Sequence, residues 1–255
     1  MRFERKQRNE DTTFVPTVVD FHTHLLPQID DGASNEEEAS AMLALQKEQG
    51  VGAVVATPHF YADDESPQTF LKRRTEACEA LLRVYDPQKH PLVYLGAEVA
   101  FFNGMGRSRH IRELAIAGTG TLLVEMPFSE WSDSEMKEIY FLRESLGLIP
   151  VIAHVERYLK YQKPNAIRSL ASNGAIIQSN ATYFTEPKNG KKAIKMLLHG
   201  DIHLLGSDCH NMTNRMPNLY EAVSRIVQNN GEAALEQMRL LQDFLLKDAI
   251  SIDKI

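Results

Sequence analysis

Hydrophobic and polar positions alternate on two scales along this chain. Short runs rich in β-branched residues are separated by longer stretches whose apolar positions recur at helical spacing, and this alternation holds to about residue 210. The runs are Val18 to Leu25, Ala53 to His59, Leu92 to Val99, Thr121 to Met126, Ile149 to Val155, Ala175 to Asn180 and Ile202 to Asp208. Near-continuous apolar character, as in Ala53-Val54-Val55-Ala56 and Val151-Ile152-Ala153, suits strands buried on both faces, which predicts a parallel sheet covered by helices. Two helices carry start signals. Ser34 followed by Glu37, and Ser132 followed by Glu135, read as capping boxes, with Gly50 and Gly147 at the corresponding ends. Ile139, Leu142 and Leu146 put one apolar face of the second helix toward the sheet, and Pro217 to Lys247 reads as one or two closing helices.

Composition narrows the class. The 255 residues are 43% hydrophobic and 24% charged, which describes a globular chain able to bury a large core. Absence of repeats, low-complexity segments and Gly/Ser linkers predicts one domain over residues 18–255, with residues 1–17 a flexible tail that lacks the apolar centre of a secretory signal. The longest uninterrupted apolar stretch, Leu148 to Ala153, is six residues, far short of the roughly 20 needed to span a bilayer. A net charge of −6 argues against a nucleic-acid surface. Only Cys78 and Cys209 are cysteines, too few for a disulfide framework, so a cytoplasmic setting is expected.

Candidate chemistry sits where strands end. His22 and His24, two residues apart in Asp20-Phe21-His22-Thr23-His24, fall on one side of the first strand and make a ready metal-binding pair. Asp30 and Asp31 follow in the loop. Strand ends also carry His59, Glu98, Glu125, His154, and Asp208 with His210. Five of the nine histidines thus occupy predicted strand ends, a placement that points to a multinuclear metal site rather than scattered core histidines. His90, His110, His199 and His203 lie in or beside helices or at a strand start and read as ordinary. Asp20 reads as a hydrogen-bonding partner of a ligating imidazole, and Asp30 as a turn residue. Arg157 and Arg215, in loops just past His154 and His210, are candidate clamps for an anion. Phe60, Tyr61, Phe128, Trp131, Tyr158 and Tyr183 flank the strand ends and offer either packing or grip on an aromatic ring.

The segments DFHTH, TPH, GAE, IAH and SDCH together resemble the polymerase-and-histidinol-phosphatase superfamily. HTHLLPQIDDG, VIAHVERY and the SDxHN segment followed by Arg215 resemble its bacterial manganese-dependent protein-tyrosine phosphatase branch, found in capsule and exopolysaccharide operons. The resemblance runs from Val18 onward, and its combined motifs are specific, although DxHxH alone would also admit amidohydrolases. It implies a distorted seven-stranded parallel βα barrel holding three divalent ions, manganese or else iron or zinc. His22, His24, Glu98 and Asp208 would hold one ion, Glu98 with Glu125 and His154 a second, and Asp31, His59 and His210 a third. Three divalent ions against four carboxylates leave about +2, so the site of an acidic protein can attract a phosphate dianion. The implied activity is phosphotyrosine hydrolysis by a metal-bound hydroxide, with Arg157 and Arg215 on the phosphoryl oxygens, and the implied partner is a bacterial tyrosine kinase with a tyrosine-rich tail. Alternatives are a phosphoesterase acting on histidinol phosphate or a phosphodiester, and a metal-stabilised phosphotyrosine-binding module. Cys209 and Arg215 also stand in the Cys-x5-Arg spacing of a thiol-dependent phosphatase, but the residues between them include no glycine.

Overall fold

The computed structural model describes residues 18–163 and 165–254; the predicted tail, residues 1–17, lies outside them. In chain order the regular elements begin with β1 (Val18–Thr23), α1 (Glu36–Glu48), β2 (Val51–Ala56), β3 (His59–Phe60), α2 (Pro67–Leu82), β4 (Leu92–Leu95) and β5 (Glu98–Ala100). They continue with β6 (Thr121–Glu125), α3 (Asp133–Glu144), β7 (Ile149–Ile152), α4 (Ala166–Ser172), β8 (Ile176–Asn180) and α5 (Ala181–Thr185). The last are α6 (Gly190–Leu198), β9 (Leu204–Gly206), α7 (Leu219–Val227) and α8 (Glu232–Leu245).

Every ladder between these strands is parallel. The seven apolar runs appear as nine strands because the second and third runs each break. Pro58 has no N–H to give a ladder, and the chain turns at Thr57-Pro58 and at Gly96-Ala97 before pairing resumes. The two broken runs stay side by side, since Gly96 N–H donates to Ala56 O at 2.8 Å and Glu98 N–H to Pro58 O at 3.0 Å. Beyond the break, His59 faces Glu98 in register. The ring closes between the first and last runs, where Asp208 N–H donates to His22 O at 2.8 Å and His24 N–H to Cys209 O at 2.9 Å. The result is a distorted parallel α/β barrel.

One buried apolar cluster runs from Val18 to Ile252. Helices cover it with stripes of the expected period: α7 buries Leu219, Ala222, Val223 and Ile226. On α3, Ile139 and Leu142 are buried, and Leu146 packs on the core just past the helix end. The predicted capping box at Ser132 and Glu135 is present. At α1 the cap is one residue later than predicted: Asn35 accepts from Glu38 N–H at 2.8 Å, while Glu38 reaches back to the N–H and hydroxyl of Ser34. Asn and Ser are equally good caps, so the register there is decided by Glu38 rather than Glu37 having the reach. Gly50 and Gly147 take the left-handed backbone expected at helix ends, with φ of 81° and 61°. No helix among the described residues is long and apolar enough to cross a membrane.

Candidate metal centre

The site is built at the C-terminal rim of the barrel, beginning with β1. Alternation along the strand sends His22 and His24 to the same side, and both are fully buried. Their Nε2 atoms lie 3.0 Å apart. Close approach of β9 depends on Gly206, where a Cβ would stand 2.6 Å from His22 Cβ. Asp20 ties the same two strands together, its Oδ1 accepting from His22 N–H at 3.2 Å and Ser207 N–H at 2.8 Å. Burial pushes its carboxyl up to about 7. Asp20 was expected to serve an imidazole and instead holds backbone.

The imidazole partner is Asp30. Its Oδ2 meets His24 Nδ1 at 2.7 Å and accepts from His59 N–H at 3.0 Å, while Oδ1 accepts from Gly32 N–H at 2.9 Å. The reading of Asp30 as a turn residue therefore describes only one of its contacts. Sequence held a partial signal, the Asp30-Asp31-Gly32 triplet, in which the first carboxylate closes an Asx turn and the second is free to face outward.

Glu98 lies at the middle of the cluster. Its Oε2 is 3.1 Å from His22 Nε2, 3.4 Å from His24 Nε2 and 3.0 Å from His59 Nδ1, and its Oε1 is 2.8 Å from His154 Nε2. Glu125 Oε1 stands 3.3 Å from the same His154 nitrogen. Asp208 Oδ1 is 3.6 Å from His22 Nε2 and 3.5 Å from His24 Nε2. Asp31 Oδ1 is 3.4 Å from His59 Nε2 and 3.3 Å from His210 Nε2. All nine predicted ligand positions thus come together. Three convergent sets stand out: His24, Asp31, His59 and His210; His22, Glu98 and His154; and His22, His24 and Asp208. His22 and His24 each belong to two of them, whereas the resemblance assigned each to one ion, and Glu125 stands beside the second set. The other histidines keep to ordinary duties, His90 between Asp86 N–H and Ser40, His203 accepting from Ile177 N–H.

Buried charges in such density need compensation. Burial alone would push Glu98 up, but His22, His154 and His24 around it hold it well below the usual carboxylate range. Burial would lower His24, yet its bonds to Asp30 and Glu98 raise it to about 10, and Asp30 in turn is lowered to about 2. His154 is raised against burial to about 9 by Glu125 and Glu98, while burial and the neighbouring His24 take His210 down to about 4. Protons and imidazoles alone do not satisfy the arrangement. Glu98 Oε2 and His210 Nε2 are buried without a properly directed hydrogen bond. Two imidazole nitrogens facing each other at 3.0 Å, an orphaned Glu98 oxygen beside them, and a donor set of nitrogen and carboxylate oxygen with no thiolate all fit borderline divalent cations. His154 and Asp208 add a backbone signal: both are in the left-handed region, with φ of 30° and 54°, which costs a non-glycine residue about 1–2 kcal/mol.

Two arginines border the cluster. Arg157 Nη2 donates to Asp208 Oδ2, and Arg215 Nη2 donates to Asp208 Oδ1 at 2.8 Å. Asn180, which the sequence reading did not single out, donates to Asp208 Oδ2 at 2.9 Å. Arg157, Arg215, Asn180 and Asp208 line one cavity of about 280 Å³. Cys209 faces the other way. Its fully buried thiol lies 3.6 Å from Gln46 Nε2 on α1, and burial drives its pKa far up. Of the aromatic candidates, Phe60, Trp131, Tyr158 and Tyr183 are buried packing, whereas Tyr61 and Phe128 stay exposed, stacked on His59 and His154 respectively.

Comparison with known proteins agrees with this architecture. The chain is 27% identical over 240 residues to the tyrosine-protein phosphatase CpsB of Streptococcus pneumoniae, covering 87% of this chain and 94% of that protein. It is 27% identical over 213 residues to the tyrosine-protein phosphatase YwqE of Bacillus subtilis, covering 81% and 82%. The fold superposes on a crystal structure from a study of YwqE from Bacillus subtilis and CpsB from Streptococcus pneumoniae, described there as metal-dependent tyrosine phosphatases. That match has a TM-score of 0.76 at 22% identity and covers 91% of this chain and 96% of the other. A histidinol phosphate phosphatase from Lactococcus lactis, crystallised with zinc, shares the fold more distantly, with a TM-score of 0.51 at 13% identity over 86% of this chain and 94% of that one. The family model for capsular polysaccharide synthesis proteins CpsB/CapC matches residues 18–243, so with its metal-ready barrel rim this chain belongs to the CpsB/CapC family.

Proposed function

We propose that the protein is a metal-dependent protein-tyrosine phosphatase that hydrolyses phosphotyrosine on a protein substrate. The observation that carries the reading is the convergence of five imidazoles and four carboxylates beside two arginines that share one ledge, Asp208. The names of the related CpsB and YwqE phosphatases support the substrate class. Three divalent ions are proposed, with manganese first and iron or zinc as substitutes. His22, His24, Glu98 and Asp208 would hold one, Glu98 with Glu125 and His154 a second, and Asp31, His59 and His210 the third.

When bound, the ions would supply a deprotonated water at neutral pH and draw charge from the phosphoryl oxygens. The chain's own groups do the rest. Asp30 fixes the tautomer of His24, so that Nε2 rather than Nδ1 faces the cluster. Arg157 and Arg215 present planar donor forks to the phosphoryl oxygens and stabilise the charge that builds there. A tyrosine leaving group, with a pKa of roughly 10, needs less proton assistance than an alkyl alcohol. The buried Cys209 takes no part. The partner proposed is a bacterial tyrosine kinase with a tyrosine-rich tail, met in the cytoplasm, where two buried free cysteines are at home.

Rates on a phosphotyrosyl peptide, a phosphoseryl peptide and histidinol phosphate, with added manganese and then with chelator, test the reading. Phosphotyrosyl turnover should lead and should vanish with chelator. Preference for histidinol phosphate, or full activity in metal-free protein, would sink it.

A further inference from the structure

Phe128 keeps 47% of its surface exposed on a rim where Phe60, Trp131, Tyr158 and Tyr183 are buried. Its ring lies over the His154 imidazole with centroids 6.1 Å apart and planes within 17°, and it is 5.5 Å from the Tyr158 ring. The loop that carries it is held from below. Met126 N–H donates to Tyr158 Oη at 2.9 Å, and Trp131 Nε1 donates to Pro127 O at 3.0 Å. The ring is therefore seated on the His154 and Tyr158 side, with nearly half of its surface left open. Single exposed apolar residues are ordinary on protein surfaces. This one lines a cavity of about 380 Å³ together with Glu156, Arg157, Lys160, Tyr183, Glu186 and Asn189. Arg157 also lines the neighbouring 280 Å³ cavity with Asp208 and Arg215, so it stands in the wall between the two.

We infer that the open face of Phe128, with the cavity it shares with Arg157, is the subsite for the phenyl ring of a phosphotyrosyl substrate; this rests on the phosphatase reading and names its specificity determinant. In such a substrate the ring is one oxygen away from the phosphorus. A phosphoryl group held by Arg157 over the cluster therefore leaves its ring beside Arg157, where Phe128 offers an aromatic face for offset stacking. An alkyl phosphoester reaches the same arginines and leaves that face uncovered. Tyr61 is the competing position, stacked on His59 with centroids 5.5 Å apart and 43% exposed. Its cavity, however, is lined by Asp30, Asp31, Asp64 and Glu65, and the one cation there, Arg73, is already engaged by Glu65 and by Ile29 O. Asp31 there is a proposed metal ligand and Asp30 is paired with His24, which leaves Asp64 uncompensated, whereas the Phe128 cavity sets Arg157 and Lys160 against Glu156 and Glu186; the balance of charge favours the Phe128 side as the ring's path.

Two phosphonates that cannot be hydrolysed separate ring from head group. Calorimetry on metal-loaded protein should show benzylphosphonate binding more tightly than methylphosphonate. Phe128→Ala should weaken benzylphosphonate about tenfold while methylphosphonate stays within about twofold, and KM for a phosphotyrosyl peptide should rise more than kcat falls. Phe128→Trp should restore the ring preference with metal content unchanged. Equal weakening of both phosphonates would mean that Phe128 only supports His154, and would overturn the inference. So would loss of neither, or loss of the ring preference in Tyr61→Ala but not in Phe128→Ala. The phosphatase reading fails separately, on wild-type protein, if phosphotyrosyl peptide is not turned over.

Discussion

Arg157 rests its guanidinium on Asp208, a residue that also faces His22 and His24 across the candidate metal centre. The pairing joins the phosphate-gripping edge of the site to its metal-holding floor. It is local to the barrel rim, because Arg157 follows β7 and Asp208 follows β9, with Asn180 from β8 bonded to the same carboxylate oxygen.

Arg157→Ala removes a proposed phosphate donor and leaves every proposed ligand in place, with Asp208 still held by Asn180 and Arg215. Metal content should be retained. Turnover of a phosphotyrosyl peptide should fall roughly a hundredfold, about 3 kcal/mol of transition-state stabilisation. Undiminished kcat/KM in the variant would return Arg157 to the solvent-facing surface.

Glu98 touches His22, His24, His59 and His154, whereas His59 sits at the edge of the cluster with Asp31. Glu98→Gln should therefore lower both bound metal and activity further than His59→Ala. Elemental analysis after reloading, run alongside the rate measurements, decides it. Similar losses in the two variants would argue against Glu98 as a shared ligand.

Cys209 and Asp208 are neighbours with opposite expected behaviour. The Cys209 thiol is turned toward Gln46 with a pKa driven up by burial, so Cys209→Ser should keep most activity. Asp208→Asn should be crippling, because it removes charge from the centre and the shared anchor of both arginines. Collapse of turnover in Cys209→Ser, with fold and metal content intact, would revive a thiol mechanism.

The His24 and Asp30 pair makes a pH prediction for metal-free protein. Asp30 is lowered from its ordinary 3.8 to about 2, so its stabilisation is complete above about pH 4 and lost as pH falls through 2. His24 is raised from 6.5 to about 10, so its stabilisation is complete below about 6.5 and lost as pH rises through 10. The gap in urea midpoint between wild type and Asp30→Asn should be widest between pH 4 and 6.5 and narrow on either side. A gap independent of pH would mean that the charged pair does not form. His24 and His154, raised to about 10 and about 9, also carry protons at pH 7 and must shed them to ligate. Manganese loading at pH 7 should accordingly release protons, read as a dependence of the calorimetric heat on buffer ionisation enthalpy.

Local periodicity determined a large part of this protein from sequence alone. The two-residue repeat that puts His22 and His24 on one side of β1, the apolar runs that become a parallel barrel, the Ser132 to Glu135 cap and the stripe on α7 all depend on neighbours a few residues apart. Placing His59, Glu98, Glu125, His154, Asp208 and His210 at strand ends was legible for the same reason, since parallel strands bring their ends to one rim. What passes between distant segments was decided by the tertiary structure. Asp30 serves His24 and His59 rather than only its own turn, because loop closure brings His59 N–H to it from 29 positions away. Asp20 binds the backbone of Ser207 because the barrel closes there, Asn180 becomes a partner of Asp208, and His22 and His24 each end up shared between two ligand sets. Phe128 and Trp131 look alike as aromatic residues after one strand, yet one is open and the other buried. Exposure is settled by what the rest of the chain packs against a side chain, and no spacing within a short segment encodes that.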